Sequence, residues 1–519
     1  MGGFNAEHQN VRTLSAQRDG IIVPDLPTID TSTEQDVAGG GYNHWATAGF
    51  FGRLNYNYKE KYLLEVNGRY DGTSRFMKDQ RWNFFPSFSL GWNVARENFW
   101  KPLESVVNQF KLRGSWGELG NQNTSNLYPF YEILPVKSNS GNWLVNGGKT
   151  NTADIPSLVS TLLTWERVRS FNVGFDFGAF SNRLTGSFDY FVRKTVDMVG
   201  PAPQLPLVLG IAPAIVNNAD MKSYGFEIEL SWRDRIGEVD YGVKFNLADA
   251  QQKVVKYPNT TNAFSDWYAG KMSGEIWGYT SLGIAKTDEE MKEHLASLPN
   301  GGQNQLGNKW GAGDIMYADI NGDGKIDGGK GTLADPGDQR IIGNSTPRYN
   351  FGLVLDASYK GFDVSIFFQG VGKRDYAPIV GTNGAVFWGA VNNIWQSMAM
   401  EEHFDYFRPE GHPMGANLNG YYPRPDFTSN KNHQVQTRYL QDASYIRLKN
   451  LQIGYTLPKQ WINKLHINRC RVYVSGDNLW TGTSLASMFD PETLAAGDWG
   501  SGKTYPLSKV ISFGLNVNF

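Results

Sequence analysis

The sequence predicts an all-β protein, a portion of an antiparallel transmembrane β-barrel with long extracellular loops. Three features lead there. Apolar and small polar residues alternate over stretches of about nine to thirteen residues, twice the usual globular strand and suited to crossing a bilayer at a tilt. Aromatic residues make up 14% of the 519 residues, beside 58 glycines, a mixture that suits twisted strands and tight turns better than helices. The long joints between these stretches fall on every second connection.

The last residues show the alternation most plainly. Ile511, Phe513, Leu515, Val517 and Phe519 alternate with Ser512, Gly514, Asn516 and Asn518, so one sheet face is apolar and the other small and polar. The pattern recurs at Phe88, Leu90, Trp92 and Val94, and again at Phe171, Val173, Phe175 and Phe177. Read in order, about thirteen strands begin near Trp45, Lys61, Trp82, Gln109, Arg169, Arg183, Ser223, Asp240, Arg348, Phe362, Ala443, Arg469 and Leu507. Residues 1–44 are expected to be an extracellular loop region and 45–519 the barrel part. Alternation lapses within Phe362–Gly370 and Ser444–Leu457, which marks bulges or contact with packed material. Joints such as Tyr58-Lys59-Glu60 and Lys360-Gly361 are short, whereas 121–168, 255–347 and 374–442 are long. A soluble sandwich has no reason for that asymmetry; a barrel with short periplasmic turns and long outer loops does.

Composition narrows the function. The 49 basic and 51 acidic side chains leave a net charge of −2, without the basic excess that nucleic-acid binding needs. Mean hydropathy is −0.43, and no run of about 18 apolar residues occurs, so membrane-spanning helices are excluded while alternating strands are not. The single cysteine, Cys470, excludes a disulfide scaffold and a cysteine zinc cluster. Residues Met1–Asn10 lack a basic region followed by an apolar core, so no export signal is read there. An odd strand count with unpaired edges points the same way, to a piece of a longer chain.

One motif suggests an ion. Asp319, Asn321, Asp323, Lys325 and Asp327 occupy positions 1, 3, 5, 7 and 9 of a calcium-type loop, with Gly324 at position 6 for the sharp turn. Position 12 is Lys330, so a complete EF-hand is ruled out, and Asp335 or Asp338 would have to close the site. The competing reading is an Asn/Gly turn held by side-chain-to-backbone bonds. The seven histidines show no metal-ligand spacing, and no enzyme is expected. Glu227 and Glu229 share a strand face opposite Phe226 and Ile228, as lumen-lining residues rather than a glycosidase pair. Loop tryptophans, above all Trp267, Trp388 and Trp395, are candidate substrate contacts, by stacking on sugar faces or by packing loop on loop.

Several longer stretches resemble one family in order along the chain. FFGRLNYNYKEKYLLEVNGRYDGTSRF (Phe50–Phe76), FFPSFSLGWNVARENFW (Phe84–Trp100), KLRGSWGELGNQ (Lys111–Gln122), LTWERVRSFNVGFDF (Leu163–Phe177), DINGDGKID (Asp319–Asp327), YIRLKNLQIGYTLP (Tyr445–Pro458) and GDNLW (Gly476–Trp480) are similar to the SusC/RagA TonB-dependent outer-membrane transporters. The resemblance implies a 22-stranded barrel with an N-terminal plug, of which this chain matches the C-terminal barrel portion without the plug. It implies a place in the bacterial outer membrane and import of glycans or peptides with a SusD-like surface lipoprotein. The TonB complex would act through the missing N-terminal part, and the remaining plug, barrel strands and outer-membrane lipid would be further partners. Phe519 resembles the terminal signal read during outer-membrane assembly. A passive porin- or adhesin-like barrel is the alternative.

Overall fold

The computed structural model describes the chain except residues 125, 203–205, 207, 209, 212, 379–385, 390–398, 427–428, 463–465 and 495–503, and the side chains of 35 and 36. Fourteen strands form one continuous antiparallel meander, each paired with its chain neighbour. They are β1 (Gly2–Ile21), β2 (Ser32–Tyr58), β3 (Tyr62–Thr73), β4 (Trp82–Asn93), β5 (Val107–Asn121), β6 (Glu166–Ala179) and β7 (Leu184–Val199). β8 (Asn217–Ile236), β9 (Val239–Lys256), β10 (Arg348–Tyr359), β11 (Phe362–Lys373), β12 (Tyr445–Thr456), β13 (Arg469–Thr483) and β14 (Val510–Asn518) complete it.

The expected loop at 1–44 is corrected. Gly2–Ile21 is a strand that pairs with Ser32–Gly52 of β2 in a long hairpin, and the sheet has fourteen strands rather than thirteen. β3 begins to pair only at Thr47, so Ser32–Ala46 and its partner extend beyond the rest of the wall. There no lipid face is needed, and the residues do not alternate. With an even count, strand parity gives no argument about the chain's extent.

Both expected irregularities are bulges at one place. Against β11 the register shifts between Phe367 and Phe368, and Lys449 of β12 is the extra residue. Against β13 it shifts between Leu448 and Asn450, and there β13 carries the extra residue, with Asn478 and Leu479 opposite Lys449.

Pairing carries one apolar band across the wall. Val66 lies beside Phe88, Phe88 beside Trp116, Trp116 beside Phe171, Phe171 beside Val192, and Val192 beside Tyr224. Farther along, Leu353 faces Phe368, Val364 faces Ile453, and Val474 faces Phe513. These side chains point outward: Leu90 is 63% exposed and Phe513 85%. Among the described residues no second layer covers them, since the buried apolar clusters lie at the long-loop end of the wall, Phe85 of β4 being a strand member there. Aromatic rings edge the band, with Tyr58 on Tyr62 at one rim and Tyr70 on Trp82 at the other, at 6.5 and 5.1 Å between centroids.

The opposite face is polar and internally paired. Arg113 on β5 donates to Asp176 on β6 and to Asp189 on β7, and Arg471 on β13 reaches Asp363 on β11. Glu227 and Glu229 lie on this face, beside Asp189 and Ser187 of β7, as the sequence suggested. Joints at one end reach about a dozen residues at most, with β2–β3 and β10–β11 among the tightest, and the five longest joints all lie at the other end, where β1–β2 and β3–β4 are the shorter exceptions.

Candidate functional site

Three of the long joints build one structure above the wall. In the loop between β9 and β10, Glu275–Gly278 pairs with Arg340–Asn344, and Ser281–Ile284 with Ile315–Tyr317. A helix, α1 (Asp288–Ala296), starts where Thr287 Oγ1 accepts the Glu290 N–H at 3.1 Å, with Asp288, Glu289 and Glu290 favoured by the helix dipole. The loop between β11 and β12 joins it through Tyr279, whose N–H donates to the Val435 carbonyl at 2.8 Å. Tyr279, Ile315, Tyr317 and Ile326 from the first loop, Trp388, Tyr422 and Tyr439 from the second, and Phe489 from the loop after β13 share one buried cluster. Three loops thus form a single packed cap rather than separate flexible strings.

A buried ionic knot ties the first two loops together. Asp314 is fully buried and accepts from Arg424 Nε at 2.8 Å, Lys431 Nζ at 2.9 Å, Asn432 Nδ2 at 2.9 Å and the Gly311 N–H at 2.9 Å. Lys431, 1% exposed, also donates to the carbonyls of Asn308 and Lys309 and lies 5.0 Å above the Trp310 ring. Sequence reasoning missed this knot because its members are more than a hundred residues apart and make no local pattern. The third loop is fixed to the wall by Arg447 on Asp490 at 2.8 Å and Lys449 on Glu492 at 2.8 Å.

Burial shapes the titration of the cap. His433 has neither ring nitrogen hydrogen-bonded among the described residues and lies edge-on to Trp388 at 4.5 Å. Desolvation lowers its pKa to about 4. The Tyr317 hydroxyl, donating to the Lys431 carbonyl at 2.7 Å, is pushed well above its ordinary range by burial.

The sequence-predicted site residues fare differently. Trp388 is corrected: at 1% exposure it is a core residue and offers no face to a ligand. Trp267 is half-buried, edge-on to Tyr257 at 6.0 Å. Trp395 lies outside the described residues. Phe519 is exposed just beyond β14.

The Asp319–Asp327 segment folds as a tight turn. Asp319 accepts the N–H groups of Gly322 at 2.7 Å and Gly324 at 2.9 Å, and Asn321 accepts that of Asp323 at 3.0 Å. Gly324 has φ +78°, as the sharp turn requires. Buried Asp338 accepts from Ile320 and Asp327 N–H at 2.8 and 2.9 Å, and burial raises its pKa, with Asp319 nearby adding to the effect. At position 5 the Asp323 carboxylate accepts the Lys325 N–H and the Asn321 amide, and positions 1, 3 and 6 suit an Asn/Gly turn and a calcium loop alike. Position 9 does not suit the ion, since the Asp327 carboxylate is taken by Lys325 Nζ, and no three His, Cys, Asp or Glu side chains converge as a metal centre among the described residues.

Comparison with known proteins places this geometry. Residues 2–479 match the family model described as TonB dependent receptor-like, beta-barrel. TonB-dependent receptor P3 of Formosa agariphila is 30% identical over 499 residues, covering 90% of this chain and 45% of the relative. TonB-dependent receptor SusC of Bacteroides thetaiotaomicron is 24% identical over 486 residues, covering 91% and 43%. The chain spans about half the length of the curated relatives it matches. Among solved structures, that of the RagAB peptide transporter superposes on all of this chain and 53% of its own, with TM-score 0.77 and 21% identity.

Proposed function

The chain belongs to the TonB-dependent receptor-like β-barrel family, of SusC/RagA type, and is an outer-membrane protein; from that premise we propose that it forms the wall and outer vestibule of an energised nutrient importer. The observation that carries the proposal is the two-faced wall, greasy outside and hydrogen-bonding inside, with the five longest joints at one end and three of them fused into a cap. Such a wall gives a polar solute a wet path and gives the cap a fixed position over its mouth. Energy from TonB enters through a plug and its contact segment, and a SusD-like lipoprotein captures the glycan or peptide at the cap. The solved RagAB relative is a peptide transporter, which favours testing peptides beside glycans. No catalytic step is assigned to the wall.

Calcium at Asp319, Asn321 and Asp323 belongs to the same proposal, supported by the position-1 and position-6 geometry. Asp327 joins only if Lys325 releases it, and Lys325 contributes its backbone carbonyl instead. A bound ion would brace the cap; a calcium titration of the folded protein against Asp319→Asn tests this, and identical thermal stability in calcium and in chelator would contradict it. The alternating β14 strand with Phe519 is proposed as the assembly signal, tested by deleting Phe519 and measuring outer-membrane insertion.

The importer reading is tested by deleting the gene and measuring growth on single glycans and peptide digests, with and without collapse of the proton-motive force. Uptake that needs both the gene and the proton-motive force is expected. Gene-dependent uptake that survives collapse would instead mark a passive barrel.

A further inference from the structure

The register sets a row of cations side by side on the membrane-facing side of the wall. Arg169 on β6 lies directly opposite Lys194 on β7, Lys194 opposite Lys222 on β8, and Lys222 opposite Lys253 on β9. Arg169, Lys194 and Lys222 are each two residues from a band position, Phe171, Val192 and Tyr224, and Lys253 is two residues from Gln251, which pairs with Tyr224, so the four share that face. The row lies at the long-loop end, about 7 Å beyond the rim of the band, where headgroups begin. Like charges directly opposite on neighbouring strands are destabilising, and Lys222 has one on each side.

The protein's own carboxylates do not neutralise the row. Glu118 on β5 accepts from Arg169 Nε at 2.7 Å and lies 3.9 Å from Arg167. Asp220 is 3.9 Å from Lys194. Lys222 leans over the Tyr224 ring at 5.3 Å, and neither it nor Lys253 pairs with a carboxylate among the described residues. Five cations thus face two acids on a surface that continues directly into the lipid-facing band.

We propose that this row is a binding site for an anionic, phosphate-bearing lipid of the outer leaflet. The phosphates sit over Lys194, Lys222 and Lys253, and the acyl chains run down the band past Phe171, Val192 and Tyr224. A lipid fits better than a soluble anion because charge and greasy surface are continuous there. The bound phosphate also relieves the repulsion that the register imposes.

The test uses protein purified from outer membranes with its companions and placed in phosphatidylcholine nanodiscs with or without diphosphorylated lipid A. Wild type is expected to retain lipid A in native mass spectrometry. The triple variant Lys194→Gln, Lys222→Gln, Lys253→Gln is expected to bind it on the order of a hundredfold more weakly, about fivefold per lysine. Lys360→Gln, at the short-turn end, is expected to bind like wild type. Should the triple variant lose the heat-shifted gel mobility of a folded barrel, Lys222→Gln alone carries the test with its fivefold loss. Equal retention by wild type and the folded variant overturns the proposal. So does inorganic phosphate displacing lipid A at millimolar concentration, which would mark a soluble-anion site.

Discussion

Replacing Asp314 with alanine should open the loop cap while leaving the wall in place. The carboxylate is fully buried and accepts from Arg424, Lys431, Asn432 and the Gly311 N–H. Removing it leaves the Lys431 ammonium, 1% exposed, with the more distant Asp426 carboxylate at 3.8 Å, the Asn308 and Lys309 carbonyls and the Trp310 face. Breaking a buried pair by deleting one partner costs about 3–5 kcal/mol. Arg424 adds little to that figure, because its side chain is 38% exposed and regains water. Native-state hydrogen exchange reads the loss locally, where a global melting temperature would report mainly the barrel. Amides at 311–317 and 430–437 should exchange about two to nearly four orders of magnitude faster, while β2–β7 amides stay unchanged. The double variant Asp314→Leu, Lys431→Met should recover only the part of the protection lost to the stranded ammonium, since the Asn432 amide and the Gly311 N–H still lack their acceptor. Unchanged exchange in the cap of Asp314→Ala, within about threefold, would refute the idea that the knot holds the loops together.

Three further expectations concern the cap and the band. His433 is held neutral when folded, with a pKa near 4 against 6.5 unfolded, so the unfolded cap binds the extra proton first as pH falls. Cap stability should therefore be flat above about pH 6.5 and fall by about 3 kcal/mol toward pH 4, and His433→Phe should flatten the exchange profile over that window. Trp388→Ala should destabilise the cap by about 3–5 kcal/mol in the same exchange measurement, as a core deletion does, whereas Trp267→Ala should leave exchange unchanged. Val173→Arg, on the outward face of β6, should weaken folding into lipid by about 2–4 kcal/mol in a denaturant titration, and Asn172→Arg on the inward face by less than about 1 kcal/mol.

The wall was readable from sequence because bilayer and lumen impose opposite demands on alternate residues. Phe171, Val173 and Phe175 against Asn172, Gly174 and Asp176 could hardly be read otherwise. The β1–β2 hairpin escaped notice for the converse reason: GGFNAEHQNVRTLSAQRDGI has both faces in water over most of its length, and period two disappears. The lapse around Phe367–Phe368 was legible as a bulge, but its partner Lys449 required the pairing itself. Loop chemistry was the least legible part. Trp388 looks like any exposed loop tryptophan until three loops close over it, and Asp314, Lys431 and Asn432 become one site only in three dimensions. The lysine row is of the same kind, since each lysine alone is an ordinary rim residue.

The central claim is that the outward face of the sheet meets hydrocarbon while the inward face meets water. Single spin labels at Phe171, Val173 and Phe175, and at Ser170, Asn172 and Asp176, read this directly, because Cys470 is buried and competes little for the label. Collisions with oxygen should dominate at the first three positions and collisions with a water-soluble nickel chelate at the other three, in strict alternation. The same accessibility at all six positions, or nickel access at Val173, would contradict the claim.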